Sequence, residues 1–300
     1  MKFLHSRKLN GAFAGIGILG SLYSLYHFGF WKEWTMPPFK LFIFILFLIL
    51  AEMVVRAERL CRAVKIVGDK RIRFRDAFFA NASGDVFGAI TPASIGGEVA
   101  RLGGCLRSGL SATEGVKALA VERLSLVLSL FWCVMVICVT SGRGGHNLMI
   151  YGALALVLLI LLIVLVHYAK GSFRPYLWKW DLFCLSLFHH VVRLGLLPLI
   201  IFYYQREAPA PIIYFWSLVL AYGFSFVPIP SGGGTIEAAF MTALTPLLGS
   251  GVAAESLLIW RFLGHYFYLL SGALVTLWGS QRFFSFSQPF INSGESREEK

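Results

Sequence analysis

Two glutamate–arginine couples stand at matched intervals along an otherwise apolar chain: Glu98 lies 25 residues before Arg123, and Glu237 lies 24 before Arg261. A charge at membrane depth costs at least about 2.5 to 3.5 kcal/mol, so each of these groups should face a partner or a wet cavity. Each couple also follows a helix-breaking cluster. The run PASIGGEVAR from Pro92 to Arg101 supplies Ser94, Gly96 and Gly97, and PSGGGTIE from Pro230 to Glu237 supplies Ser231, Gly232, Gly233 and Gly234. A glycine-rich helix start offers unpaired backbone N–H groups, the positive end of the helix dipole and room for close approach, a combination suited to a phosphate. Glu98 and Arg101 are three residues apart on one helical face and can pair, while Arg123 and Arg261 can reach Glu98, Glu237 or a lipid phosphate. The chemistry expected of these residues is recognition of an anionic headgroup.

Other polar residues are lesser candidates. Asp85 lies beside Asn81 and Ser83, a polar strip that either lines the same cavity or satisfies local backbone groups. Glu52, four residues before Arg56, reads as an interfacial pair near the end of a span. His189, His190 and Arg193 fall in one apolar stretch and His265 in another. Adjacent histidines point about 100° apart on a helix and no carboxylate motif surrounds them, so they read as contacts between helices rather than zinc ligands. Cys61, Cys105, Cys133, Cys138 and Cys184 are scattered without a CxxC pair, which suggests neither a disulfide framework nor a metal site. The chain has no nucleotide-phosphate loop, no DxD pair and no assembled Ser-His-Asp arrangement, so no catalytic residue, metal or cofactor is expected.

The elements that must position these groups follow from composition. Of 300 residues, 57% are hydrophobic and only 14% charged, with a mean hydropathy of +0.70. That is too little polar surface for a globular body in water, where about 25% of residues are charged. The sequence predicts an all-α integral membrane protein. Six stretches are long and apolar enough to span, roughly 11–30, 38–55, 118–140, 149–168, 181–204 and 253–279. Residues 76–105 and 212–248 are instead interrupted by the Pro, Ser and Gly clusters, and each predicts a re-entrant helical hairpin. Placing both termini in the cytoplasm leaves most of the 27 Lys and Arg inside, many of them in the segment Arg56 to Arg75 read as the longest extramembrane stretch. Arg101, Arg123, Arg193 and Arg261 remain in the membrane. The net charge of +11 therefore belongs to anchors at anionic lipid rather than to a nucleic-acid surface.

The same map predicts two inverted-topology repeats. Residues 1–140 read span, span, hairpin, span; residues 149–279 read the same, beginning on the opposite side; and 280–300 form a polar cytoplasmic tail. In such folds the substrate site lies near the midplane, between the broken helices.

At these motifs the chain resembles the lysylphosphatidylglycerol synthase transmembrane family. The resemblance rests on Asn81, Pro92, Gly96, Gly97, Glu98, Arg101, Glu122 and Arg123, then on Pro230, Gly232, Gly233, Gly234, Glu237 and Arg261, and extends over roughly residues 11–280. It implies inverted repeats around a lipid cavity to which Glu122 would also contribute. It further implies flippase-like movement of an anionic or modified phospholipid, or another lipid-linked substrate, across a bacterial inner membrane. The large soluble aminoacyl-transferring domain of the two-part synthases has no counterpart in these residues. The alternative is a membrane subunit of a lipid-modifying transferase. Expected partners are membrane lipids, anionic phospholipid first, with a separate lipid synthase as a further candidate.

Overall fold

The computed structural model describes residues 39–68, 70–91, 94–141, 179–223 and 234–283. Every regular element among them is helical: α1 Phe39–Val67, α2 Phe74–Ala89, α3 Ile95–Arg107, α4 Ala112–Ser141, α5 Trp180–Tyr204, α6 Ala210–Tyr222, α7 Thr235–Leu248, α8 Ser250–Arg261, a π-helical turn at Phe262–Tyr266, and α9 Phe267–Phe283. The stretches expected at 11–30 and 149–168, with Pro92, Pro230, Ser231, Gly232, Gly233 and the tail beyond Phe283, lie outside the described residues. Among the described residues, three helical stretches are long and apolar enough to cross a bilayer, Ala112–Ile137, Trp180–Tyr204 and Ser250–Thr276. The chain is an all-α membrane protein.

In α1 the exposed face carries Phe39, Ile43, Phe47, Leu50 and Val54, spaced three or four apart, which is a lipid-facing stripe at helical period. The opposite stripe, Leu41, Ile45 and Ile49, packs in one core with residues of α5 to α8 such as Ile200, Ile213, Phe240 and Leu257. A second core joins the end of α1 to the start of α2, the end of α3 and the start of α4 through Leu60, Val64, Ala77, Cys105 and Ala118.

One expectation is corrected here. The segment beginning at Arg56 is not a separate loop; α1 continues unbroken to Val67, with Arg56 and Arg59 both buried within the protein. Asp85 and Glu122, on α2 and α4, supply the carboxylates that let these guanidiniums stay inside.

The first hairpin is held by small residues. A Cβ at Gly97 would sit 2.7 Å from the carbonyl oxygen of Gly84, and one at Gly96 2.7 Å from that of Phe87, so α3 lies directly on the backbone of α2. Gly272 of α9 approaches the carbonyl of Ala82 on the same helix, and Ser83 Oγ meets Thr276 Oγ1 at 3.3 Å. In α5, Pro198 cannot donate to the carbonyl of Leu194; Ser217 Oγ on α6 donates to it instead, at 2.7 Å. The Leu194 carbonyl that the proline leaves without a backbone donor is thereby satisfied.

An ion pair and a hydrogen bond fix which ends lie together. Arg62, near the end of α1, meets Asp181 at the start of α5 at 2.9 Å, and Lys70 before α2 meets the Gly109 carbonyl after α3 at 2.9 Å. The first hairpin therefore starts from the end of the bundle where α5 begins. The second follows α5 after a short turn and starts from the end where α5 finishes.

Candidate functional site

A cavity of about 280 Å³ opens between the tip of the first hairpin and the helices α1, α4, α5, α8 and α9. Five guanidiniums line it, those of Arg56, Arg101, Arg123, Arg193 and Arg261, against the carboxylates of Asp85 and Glu98. Apolar residues including Ile49, Leu196, Ile236 and Trp260 complete its walls.

Two of its charge groups combine residues predicted from spacing. Arg123 pairs with Glu98, and Arg101 Nη1 stands 3.4 Å from both oxygens of that glutamate. Arg261 Nε and Nη2 grip one oxygen of Glu237 at 2.8 and 2.7 Å. The couples differ in exposure: the side chains of Glu98 and Arg123 are 43% and 51% exposed, whereas Arg261 and Glu237 are 5% and 1%.

Behind the wall, Glu122 is fully buried and anchors two arginines. Its Oε1 accepts from Arg59 Nε at 2.8 Å and its Oε2 pairs with Arg101, whose Nε donates to Asn81 Oδ1 at 2.9 Å. Asn81 and Glu122 thus hold Arg101 from outside the cavity and do not line it, contrary to the sequence expectation, while Asp85 does line it. Two arginines crowd Glu122 because a single buried carboxylate has four lone-pair directions to share.

The described glycines Gly96, Gly97 and Gly234 make packing and hydrogen-bond contacts within the chain. Gly96 does not reach the cavity; it is packed against Phe87 and Thr91, and its N–H donates to Thr91 Oγ1 at 2.9 Å. Gly97 lines the cavity, but its free side is spent on the contact with Gly84. At the start of α7, Gly234 takes φ +81° and donates its N–H to Glu237 Oε2 at 2.9 Å. At each half-helix start one N–H is therefore taken by the chain's own side chain. Ser94, which lines the cavity with φ 55°, is a left-handed residue without the freedom of glycine, a conformation that stores strain at the hairpin tip.

A third charge group was not read from the sequence. Glu52 is fully buried rather than interfacial, accepts from Tyr268 OH at 2.6 Å, and pairs with His189 Nδ1. Arg56 Nε and Arg193 Nε stand 3.9 and 3.8 Å from it, and Arg56 turns its Nη atoms onto Asp85 at 2.9 and 2.7 Å. Tyr268 carries Arg193 over its ring at 4.7 Å and Arg56 at 5.7 Å. His190 Nε2 lies 2.8 Å from the Leu126 carbonyl and Nδ1 2.6 Å from Tyr222 OH, a contact between helices. The signal that could have found the group is periodic. Ile45, Ile49, Glu52, Arg56, Arg59 and Ala63 recur at helical spacing, so the buried stripe of α1 runs straight through its charges.

Among the described residues no group of three or more His, Cys, Asp or Glu is arranged to hold a metal ion. In chemical terms the arrangement offers several hydrogen-bond forks for a phosphate or carboxylate and an apolar wall beside them.

Comparison with known families gives one match: a model described as the lysylphosphatidylglycerol synthase TM region covers residues 12–182. It takes in Glu98, Arg101, Glu122 and Arg123 but stops before Glu237 and Arg261, so it is shorter than the extent of the sequence resemblance. The comparison with curated proteins found no match.

Proposed function

Since the chain belongs to the lysylphosphatidylglycerol synthase TM-region family, we propose that it is a flippase-like transporter of an anionic or modified phospholipid, or of a lipid-linked substrate, in the bacterial inner membrane with both termini cytoplasmic. The observation that carries this reading is the cavity itself, a guanidinium-lined chamber inside a membrane protein, bounded by the first hairpin on one side and by α8 and α9 on the other. A headgroup crossing hydrocarbon needs a polar path, and its acyl chains can remain against apolar helices while the headgroup occupies the chamber. The opposed entry of the two hairpins supports the inverted-repeat organisation of residues 1–140 and 149–279, in which one half closes as the other opens. Glu98 and Arg123 form the exposed pair of this machine: entering phosphate takes the arginine, and the glutamate keeps Arg101.

Reconstitution tests the proposal. Proteoliposomes containing fluorescent phosphatidylglycerol in both leaflets are treated with dithionite; transport brings inner-leaflet lipid out to be quenched, so fluorescence should fall well below the half retained by empty liposomes. A plateau identical to that of empty liposomes overturns transport. The family description also favours a second reading, a subunit of a lipid-modifying transferase; headgroup transfer by the purified protein, with no translocation, would select it.

A further inference from the structure

Glu52 and His189 form a buried carboxylate–imidazole pair one layer behind the cavity wall. Three groups that line the cavity reach the same carboxylate. Tyr268 donates its hydroxyl hydrogen to Glu52 Oε2 at 2.6 Å, and Arg56 Nε and Arg193 Nε stand 3.9 and 3.8 Å from Oε1. With donors around both of its oxygens Glu52 acts as an acceptor, so the His189 nitrogen that faces it, Nδ1, carries the hydrogen. The neutral ring then keeps a lone pair on Nε2, where a second proton can go. The other two described histidines offer less. His190 has both nitrogens occupied, Nε2 by the Leu126 carbonyl and Nδ1 by Tyr222 OH. His265 lines the cavity among cations, Arg193 and Arg261.

Resting on the transport reading, we infer that the Glu52–His189 pair is a proton-binding site and that a lipid headgroup moves together with a proton held on His189. Without that proton, the Glu52 charge acts on Arg56 and Arg193 and draws both guanidiniums away from the cavity. A proton on His189 Nε2 makes the ring an imidazolium, compensates Glu52 in place and loosens its hold on both arginines, which can then turn to a phosphate. The imidazolium also stands among like charges, Arg56 and Arg59 on α1 and Arg193 on its own helix. It is therefore tolerated best while a phosphate occupies the cavity, and this ties the proton to the headgroup. Such coupling is reciprocal: the proton favours the phosphate by the factor that the phosphate favours the proton. The remaining groups around the pair are already committed. Asp85 of α2 is taken by both Nη atoms of Arg56, Glu122 of α4 by Arg59 and Arg101, and Arg123 of α4 by Glu98. Tyr222 of α6 meets His190, and Tyr268 of α9 keeps its hydrogen bond to Glu52 in either state. An unmodified and an aminoacylated phospholipid both carry the phosphate, so the coupling is the same for either.

A pH gradient across proteoliposomes of the full-length protein tests this. Fluorescent phosphatidylglycerol and fluorescent lysylphosphatidylglycerol are added in parallel to the outer leaflet, with the outside about one pH unit more acidic than the lumen and the membrane potential clamped by potassium and valinomycin. Albumin extraction then reads the share left outside, and empty liposomes supply the passive redistribution to subtract. With one proton per lipid, the inner-to-outer ratio of the transported lipid should rise toward about tenfold, and a protonophore should return it to the ratio without a gradient. His189→Asn keeps an amide N–H where Nδ1–H stands but takes up no proton, so the gradient should no longer change its ratio. His189→Gln repeats the comparison should the Asn variant fail to insert. His190→Gln, at the contact between helices, should keep the gradient response. A wild-type ratio that ignores the gradient while lipid still crosses overturns the coupling and leaves transport standing. A gradient response retained by His189→Asn, or lost in His190→Gln alone, overturns the assignment to His189. No crossing of either lipid beyond that of empty liposomes sinks the transport reading and this inference with it.

Discussion

Glu122→Gln separates buried architecture from exposed function, because Glu122 and Glu98 both bind Arg101 yet differ in depth: Glu122 has no exposed surface and the Glu98 side chain is 43% exposed. Removing the Glu122 charge leaves Arg59 Nε and one arm of Arg101 without their carboxylate in a setting where water does not replace it. Breaking a buried ion pair from one side costs about 3–5 kcal/mol. For a chain of this size each kcal/mol moves the unfolding midpoint by about 2–4 °C, so Glu122→Gln should lower it by roughly 10 °C. The readout is detergent-solubilised protein heated in steps and followed by the monodisperse fraction on size exclusion. Glu58→Gln provides the control, since its pair with Arg62 at 2.7 Å is partly exposed, not buried, and surface pairs contribute about 0–1 kcal/mol. The double change Glu122→Gln with Arg59→Gln should recover much of the loss, because Arg101 keeps Asn81 and Glu98 while the stranded guanidinium of Arg59 is gone. A Glu122→Gln variant that melts with the wild type would refute the reasoning, and so would a double variant whose losses simply add.

Three further outcomes follow from the same geometry. Gly97→Ala should destabilise the protein by about 1–3 kcal/mol, because its Cβ meets the Gly84 carbonyl at 2.7 Å, whereas Gly195→Ala, with nothing within 4 Å, should leave the melting midpoint unchanged or raised; equal effects in the same melting assay would show that the hairpin is not tightly packed. Arg123→Gln should abolish translocation in the dithionite assay while moving the midpoint by no more than about 2–4 °C, since its pair with Glu98 is half exposed and worth at most about 1 kcal/mol; transport at the wild-type rate counts against a gating role. Single cysteines at Ser250 and Lys179 should label from opposite sides of intact cells, and labelling from one side would break the inverted arrangement.

The couples Glu98–Arg123 and Glu237–Arg261 were legible because an ionised group at membrane depth has few affordable neighbours, and a chain with only 14% charged residues offers few to choose from. Arg56 and Arg59 were not. Basic residues at the end of an apolar run look like anchors facing the cytoplasm, and only tertiary structure brings Asp85, 29 residues on, and Glu122, 63 residues on, against them. Gly96, Gly97 and Gly234 serve the packing and capping of the chain itself. Glycine at a helix start is compatible both with an anion seat and with close backbone packing, and the sequence pattern is identical in the two cases. What decides between them is the fate of particular N–H groups: Gly96 gives its proton to Thr91 and Gly234 gives its proton to Glu237. With those two N–H groups taken within the chain, exchange of partners with a headgroup falls, on the proposed transport reading, to the arginine side chains. A guanidinium can leave a carboxylate for a phosphate and return, whereas a buried N–H released from its cap would be left without an acceptor at every turn of the cycle. On that reading, capped half-helix starts and exchanging arginines would be two parts of one arrangement, the hairpin tips supplying a frame and the charged side chains the exchange.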